Sequence, residues 1–250
     1  MSGHSKWSTI KHKKAALDAK RGKAWSKISR DITVAAKLGG GDIESNPRLR
    51  LAVDKARSAN MPKDNIERAI KKGTGDLDGA TYEECLYEGY GPGGVAVMCS
   101  ALTDNRARTA PEIKKIFERS GGNLGAANSV SWMFAQKGVI LVAAESAEED
   151  RIMELALEAG AEDVDSSEFG HEITTAPDAF LAVKGALESA GIEMQSAEVS
   201  MVAANKVVVD LDNARKVVRL LDALEDHDDA QSVSSNVEIP DEVAAQMDED

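Results

Sequence analysis

Cysteine, aromatic residues and long apolar runs are all scarce in this chain of 250 residues. Its 2 cysteines, Cys85 and Cys99, sit in apolar, strand-like stretches with no histidine at ligand spacing. That excludes a disulfide framework and a zinc site, and buried reduced thiols are the expectation. Aromatic residues make up 4% of the chain, too few for the exposed Phe and Tyr of an RNA-recognition-motif sheet. The longest apolar runs, "GVILVAA" and "KVVVDL", fall well below the roughly 20 residues of a membrane helix, so no membrane partner is expected. The first residues lack an apolar stretch with a small-residue cleavage site, and Ser2 stands where myristoylation would need glycine; a cytoplasmic location is expected.

Catalytic signatures are equally sparse. Neither a P-loop nor a G-x-S-x-G elbow occurs, and the four histidines, at 4, 12, 171 and 227, are scattered. His4 and His12 lie in a lysine-rich segment that would repel a divalent cation. Gly89, Gly91 and Gly94 satisfy G-x-G-x-x-G, but a dinucleotide site needs a helix after the glycines, and here a strand pattern follows a loop containing Pro92. A hairpin turn is the better reading. A non-enzyme is expected, with no catalytic residue, metal, cofactor or small-molecule substrate.

Each part of the chain is poor in one sign of charge. Residues 1–75 hold 18 Lys and Arg against 7 Asp and Glu, whereas the remainder holds 12 against 36. A module that meets a polyanion, carried on an acidic body, would look like this. Basic helices that dock on the body would look similar, but internal docking does not require so many more cations than a short interface can pair, so the polyanion reading is preferred.

The apolar content of 42% is enough for real cores. Residues 1–22 mix Ser, Lys, His and Gly without an apolar period and read as a basic mobile arm, with at most a short helix at 11–20. Residues 23–78 read as a helical module. Its first helix places Trp25, Ile28, Ile32, Ala35 and Ala36 on one face and stops at "GGG"; at about 100° per residue, Lys20, Lys23, Lys27, Arg30 and Lys37 form a ridge opposite. The second opens on Asn46 as N-cap with Pro47 at its first position and Leu51, Val53 and Ala56 inside. The third runs from Pro62 to Gly73 with Ile66, Ala69 and Ile70 on its apolar side. Residues 137–204 read as a βαββαβ domain of the ferredoxin-like kind, inserted into a second α/β domain split between 79–136 and 205–240. In that domain "SVSWMFA" reads as a strand. Residues 241–250 read as an acidic, solvated tail. The fold class is α+β: an N-terminal three-helix module plus two ferredoxin-like α/β domains, one inserted in the other.

Candidate nucleic-acid contacts follow from the cations and the rings among them: His4, Lys6, Trp7, Lys11, His12, Lys13, Lys14, Lys20, Arg21, Lys23, Lys27 and Arg30. Cations meet phosphates and rings meet bases. A second site is read at "TDNRARTAPE", where Thr109 with Glu112 resembles a capping box and Arg106 and Arg108 precede the helix. An external anion there would relieve the conflict between the arginines and the helix dipole, and so would carboxylates of the body.

The blocks "GHSKW", "IKHKKAALDAKRGK", "ITVAAKLGGGD", "NPRLRLAVDKARSANMPKDNIERAIKKG", "YEGYGPGGVAV", "TDNRART" and "GGNLG" resemble the YebC family over most of the chain. The resemblance implies three domains, one inserted in another, and a non-enzymatic regulator of gene expression. Bacterial members are called DNA-binding transcriptional regulators, while others, including the mitochondrial activator of cytochrome oxidase subunit I synthesis, act in translation on the ribosome. After "GGNLG" this chain has Asn128 where the family more usually has glycine; Asn tolerates positive φ, so the turn is expected to survive. Two partners are therefore carried forward: ribosomal RNA or the ribosome, and duplex DNA as the alternative. The first is preferred because no helix-turn-helix recognition helix with base-reading residues is evident.

Overall fold

The structure, a computed structural model, describes residues 19–167 and 170–248. Three helices come first: α1 (Ala19–Gly39), α2 (Pro47–Ser58) and α3 (Lys63–Thr74). Their core is Ile28, Ile32, Ala35 and Ala36 of α1 against Leu49, Val53 and Ala56 of α2, and Ile66 and Ala69 of α3. Asn46 caps α2 as its sequence predicts, accepting from Leu49 N–H at 3.1 Å. Its amide also donates to the carbonyls of Ala35 and Gly40 at 2.9 and 2.8 Å, so one side chain closes one helix and opens the next. Leu51 turns away from this core and packs against that of the inserted domain.

Gly73 is not the helix stop. α3 continues to Thr74 and ends on Gly75, which takes φ 87. A Cβ at Gly73 would lie 2.4 Å from the Thr33 carbonyl oxygen and 2.7 Å from Ala36 Cβ. The glycine is there because α1 and α3 cross in contact, a requirement that sequence spacing does not reveal.

The chain continues through β1 (Glu83–Tyr90), β2 (Ala96–Thr103), α4 (Arg106–Arg119), β3 (Asn123–Leu124), β4 (Phe134–Val142), α5 (Glu149–Glu158), β5 (Ala161–Ser167), β6 (Gly170–Thr175), α6 (Phe180–Ser189), β7 (Met194–Ala203), β8 (Val207–Val208), α7 (Leu211–Glu225), β9 (Ala230–Ser235), β10 (Val237–Glu238) and α8 (Asp241–Asp248). β4 to β7 form an antiparallel sheet in the order β5-β6-β4-β7, the arrangement of a split βαβ motif. Its core joins Ile140, Val142 and Ile173 to Ile152 of α5 and Phe180, Val183 and Leu187 of α6. The outer sheet has the order β3-β1-β2-β9. Val97 and Cys99 point to one face, against Ile113 and Phe117 of α4 and Val217, Leu220, Leu221 and Leu224 of α7. Ala96 and Met98 point to the other, against Val130 and Phe134. Both faces of β2 are thus covered, which explains its unbroken apolar run. The fold is α+β, with a helical domain followed by two sheet domains, one inserted in the other.

The glycine-rich segment is a hairpin, with β1 and β2 antiparallel across a 3-10 turn at Pro92–Gly94. Three local readings are corrected. "SVSWMFA" is not a strand of its own: Ser131–Met133 form a 3-10 turn, and Phe134 opens β4. α4 begins at Arg106, capped by Asn105, whose side chain accepts from Arg108 N–H at 3.2 Å. Thr109 and Glu112 therefore form no capping box, and Pro111 lies inside the helix. Residues 241–248 are helical rather than a solvated tail, and Val243, Ala244 and Met247, spaced along one helical face, pack on the outer core.

Candidate nucleic-acid interface

α1 buries its apolar stripe in the helical core, and three cations of the opposite ridge are also engaged, while Lys37 is exposed. Lys27 donates to the Glu225 carbonyl at 2.5 Å. Lys23 donates to the Asp226 carbonyl and pairs with the Asp228 carboxylate at 3.1 Å. Arg30 donates to the Asp228 carbonyl at 2.5 Å and to Asp229 Oδ1 at 2.9 Å. Three cations thus meet carbonyls at and just past the C-terminal end of α7, where the helix dipole favours positive charge and backbone acceptors lack helical partners. Burial pushes the Lys27 ammonium below its ordinary pKa, against the opposing pull of Glu225. For Lys23, Lys27 and Arg30 this corrects the preference drawn from charge: they dock on the acidic body, because the end of α7 offers backbone acceptors that sequence does not reveal.

Asp229 is the hub of this contact. The residue is 2% exposed, and its carboxylate also accepts from Arg108 at 2.8 Å and from the Thr109 hydroxyl at 2.6 Å. Thr109 in turn lies 2.7 Å from the Thr103 hydroxyl, which accepts from Asn105 N–H at 2.9 Å. A polarised chain of donors therefore ends on one carboxylate. Burial by itself raises the pKa of Asp229, but the Thr109 hydroxyl, the Arg108 hydrogen bond and the charges of Arg108 and Arg30 outweigh it and hold the carboxyl below its usual range. Arg108 also pairs with Asp104 at 3.0 Å; its bond to Asp229 is the main reason its pKa is raised. Its charge is thus met inside the fold, as the carboxylate reading of the sequence has it.

Next to this hub is an open groove of about 640 Å³. α4 contributes Arg108, Glu112, Lys115 and Arg119, at helical spacing along one face, and α1 contributes Lys23 and Arg30. His227 closes one side. Its Nδ1 accepts from Asp229 N–H at 3.2 Å, which leaves the ring proton on Nε2 facing Glu112 at 3.0 Å. Among the described residues Lys115 and Arg119 form no ion pair, and neither does Asp226, which also lines the groove beside Asp228, so the groove keeps unpaired charge of both signs. Neither was singled out from the sequence. The signal was present in the spacing Arg108, Lys115, Arg119, read on a helix that begins at 106 rather than 110.

The remaining candidates divide. His4, Lys6, Trp7, Lys11, His12, Lys13 and Lys14 lie outside the described residues, as does most of the short helix read at 11–20. Lys20 and Arg21 fall within the first turn of α1, whose next turn carries Lys23 to the groove. Arg106 is exposed at the first position of α4 and makes no ion pair among the described residues. Cys85 and Cys99 are buried free thiols, and burial pushes Cys99 up to about 12. Among the described residues no group of His, Cys, Asp and Glu is placed to hold a metal ion, and no helix is long and apolar enough to cross a membrane.

Residues 5–76 match the family described as TACO1/YebC protein N-terminal domain, and residues 82–237 match TACO1/YebC second and third domain. A probable transcriptional regulatory protein of Desulforapulum autotrophicum is 58% identical over 243 residues, covering 97% of this chain and 98% of its own. Another of that description, from Treponema denticola, is 58% identical over 240 residues, covering 96% and 97%. The crystal structure of a conserved hypothetical protein, Aq1575 from Aquifex aeolicus, superposes with a TM-score of 0.81 at 50% identity, covering 90% of this chain and 93% of that one. With family matches to all three domains and relatives of this identity along almost its whole length, the chain belongs to the TACO1/YebC family.

Proposed function

We propose that the chain is a non-enzymatic regulator of gene expression that works by binding nucleic acid, and that it acts in the cytoplasm as a translation factor whose basic N-terminal module contacts ribosomal RNA. The observation that carries this reading is the charge division between residues 1–75 and the rest. Contacts of α1 with the body draw on Lys23, Lys27 and Arg30. Lys6, Lys11, Lys13, Lys14, Lys20 and Arg21 precede them in the chain and supply the phosphate contacts, with His4, Trp7 and His12 as rings for bases. Lys115 and Arg119 extend the cationic surface along α4, and Arg106 adds an exposed cation at the start of that helix, away from the groove face. Lys23, Lys27, Arg30 and Arg108 serve the same surface by fixing the module against the body.

The names of the relatives favour a second reading, a duplex-DNA-binding regulator of transcription. The orientation of α1 weighs against α1 as its recognition helix. Three cations of the face a major groove would need are engaged at the end of α7, and side chains held there offer little direct readout. The experiment that tests the proposal is sedimentation of the protein with ribosomes from a lysate. Nuclease-sensitive co-sedimentation, lost on deletion of residues 1–18, supports it. Protein that stays at the top of the gradient while binding one promoter duplex supports the alternative.

A further inference from the structure

We propose that Trp132 is a stacking platform for an unpaired base of the bound RNA, an inference that rests on the nucleic-acid reading and gives it a second, non-ionic contact. Among the described large hydrophobic residues Trp132 is the most exposed, at 71%. A ring left in water to that extent is normally mobile, yet this one stands on a tightly built support. Glu88 on β1, 3% exposed, accepts from three amides of this turn, Asn128 N–H at 2.7 Å, Val130 N–H at 2.8 Å and Ser131 N–H at 2.7 Å. Val130 is fully buried beneath the turn, and Asn128 takes φ 64 to let the chain reverse. The Ser129 carbonyl accepts from the Tyr90 hydroxyl at 3.1 Å and from the indole N–H at 3.2 Å.

This arrangement meets the polar edge of the indole within the fold and leaves its apolar faces open. A base can stack on such a ring at a smaller ordering cost than on a ring with no fixed edge. Charge points to the same ligand. Residues 120–136, "SGGNLGAANSVSWMFAQ", contain no Asp, Glu, Lys or Arg, in a chain that is 29% charged and whose part after residue 75 holds 36 acidic residues. The carboxylate that supports the loop is buried. The segment that carries Trp132 thus sets no exposed carboxylate of its own against a phosphate backbone. Ala126, Ala127, Asn128, Ala135 and Gln136 are exposed neighbours in sequence; a protein-docking patch would be expected to gather several large apolar side chains.

The test uses the full chain, its Trp132→Ala and Trp132→Phe variants, and two probes: an adenine-rich single-stranded oligoribonucleotide, and the same strand with abasic positions. Alanine is expected to weaken binding of the base-bearing strand about 5- to 100-fold while leaving the salt dependence unchanged, because no phosphate contact is lost. Phenylalanine keeps most of the affinity. The abasic strand binds the wild type and the alanine variant equally. Equal affinity of wild type and Trp132→Ala for the base-bearing strand, with both weakened by removal of residues 1–18, overturns this inference and leaves the nucleic-acid reading standing. Failure of the wild type to bind either strand overturns both. Loss of ribosome binding by the alanine variant with unchanged oligonucleotide affinity makes Trp132 a protein contact and also overturns the inference.

Discussion

Arg30 on α1 reaches across to Asp229, with Nη1 2.9 Å from Oδ1, although 199 positions separate them in the chain. The other oxygen of the same carboxylate is held by Arg108, so the helical domain and the outer sheet domain share one buried acceptor. Asp229→Ala leaves two guanidinium groups and the Thr109 hydroxyl without it. The expected loss is about 1–3 kcal/mol, the range for stranding a buried polar partner, measured by denaturant unfolding. Combined with Arg30→Ala the loss should be less than additive, since both remove the same contact.

Acid should loosen the molecule at two places. Asp229 and Glu88 both have folded pKa values below the ordinary carboxylate range. In each case burial acts upward and is outweighed, for Asp229 by Thr109 and the arginines, and for Glu88 by the amides of Val130, Asn128 and Ser131. A depressed folded pKa means that the unfolded chain takes up the proton first. The stability these groups contribute is therefore complete above about pH 4 to 4.5, the unperturbed Asp and Glu range, and is lost as pH falls through the lower folded values. Unfolding midpoints followed from neutral pH into acid should decline less steeply in Asp229→Asn and Glu88→Gln than in the wild type.

The two arginines of "TDNRART" are expected to behave differently. Arg108→Ala should lower the melting temperature, because its guanidinium bridges Asp104 and Asp229. Arg106→Ala should leave it unchanged and weaken RNA binding, because that side chain is exposed and without an ion pair among the described residues. Paired thermal-melt and affinity measurements distinguish them, and a destabilised Arg106→Ala with full affinity would remove it from the interface.

Glycine substitutions in two helices should have opposite signs. Gly73→Ala places a methyl group 2.4 Å from the Thr33 carbonyl, and the forced separation of α1 and α3 should cost about 1–3 kcal/mol. Gly185→Ala in α6 meets nothing within 4 Å and should stabilise by about 0.5–1 kcal/mol. Denaturant midpoints of the two single variants check both.

What could be read from the sequence was local. Asn46 and Pro47 announce α2 because capping chemistry lies within three residues, and the βαββαβ order follows from periodicity that each element carries by itself. Thr109 was misread because its hydroxyl is taken by Asp229, 120 positions away, leaving Asn105 to cap the helix four residues earlier. The ridge of α1 is visible as a charged face, but its destination is not. The residues it meets, 225–229, are recognisable as acidic, and nothing short-range shows that backbone carbonyls there need donors. Trp132 was hidden for a related reason: its turn is imposed by Glu88 from another strand, while the local sequence reads as extended.

The most direct test of the central claim is the salt dependence of binding to structured ribosomal RNA, for the full chain and for one lacking residues 1–18, with unrelated duplex DNA as competitor. The account predicts tight binding by the full chain, poor competition by duplex, and a slope of log affinity against log salt that falls by about 0.7 for each phosphate contact removed with the arm. An unchanged slope, or displacement of the RNA by a particular promoter duplex at lower concentration than by RNA itself, would contradict it.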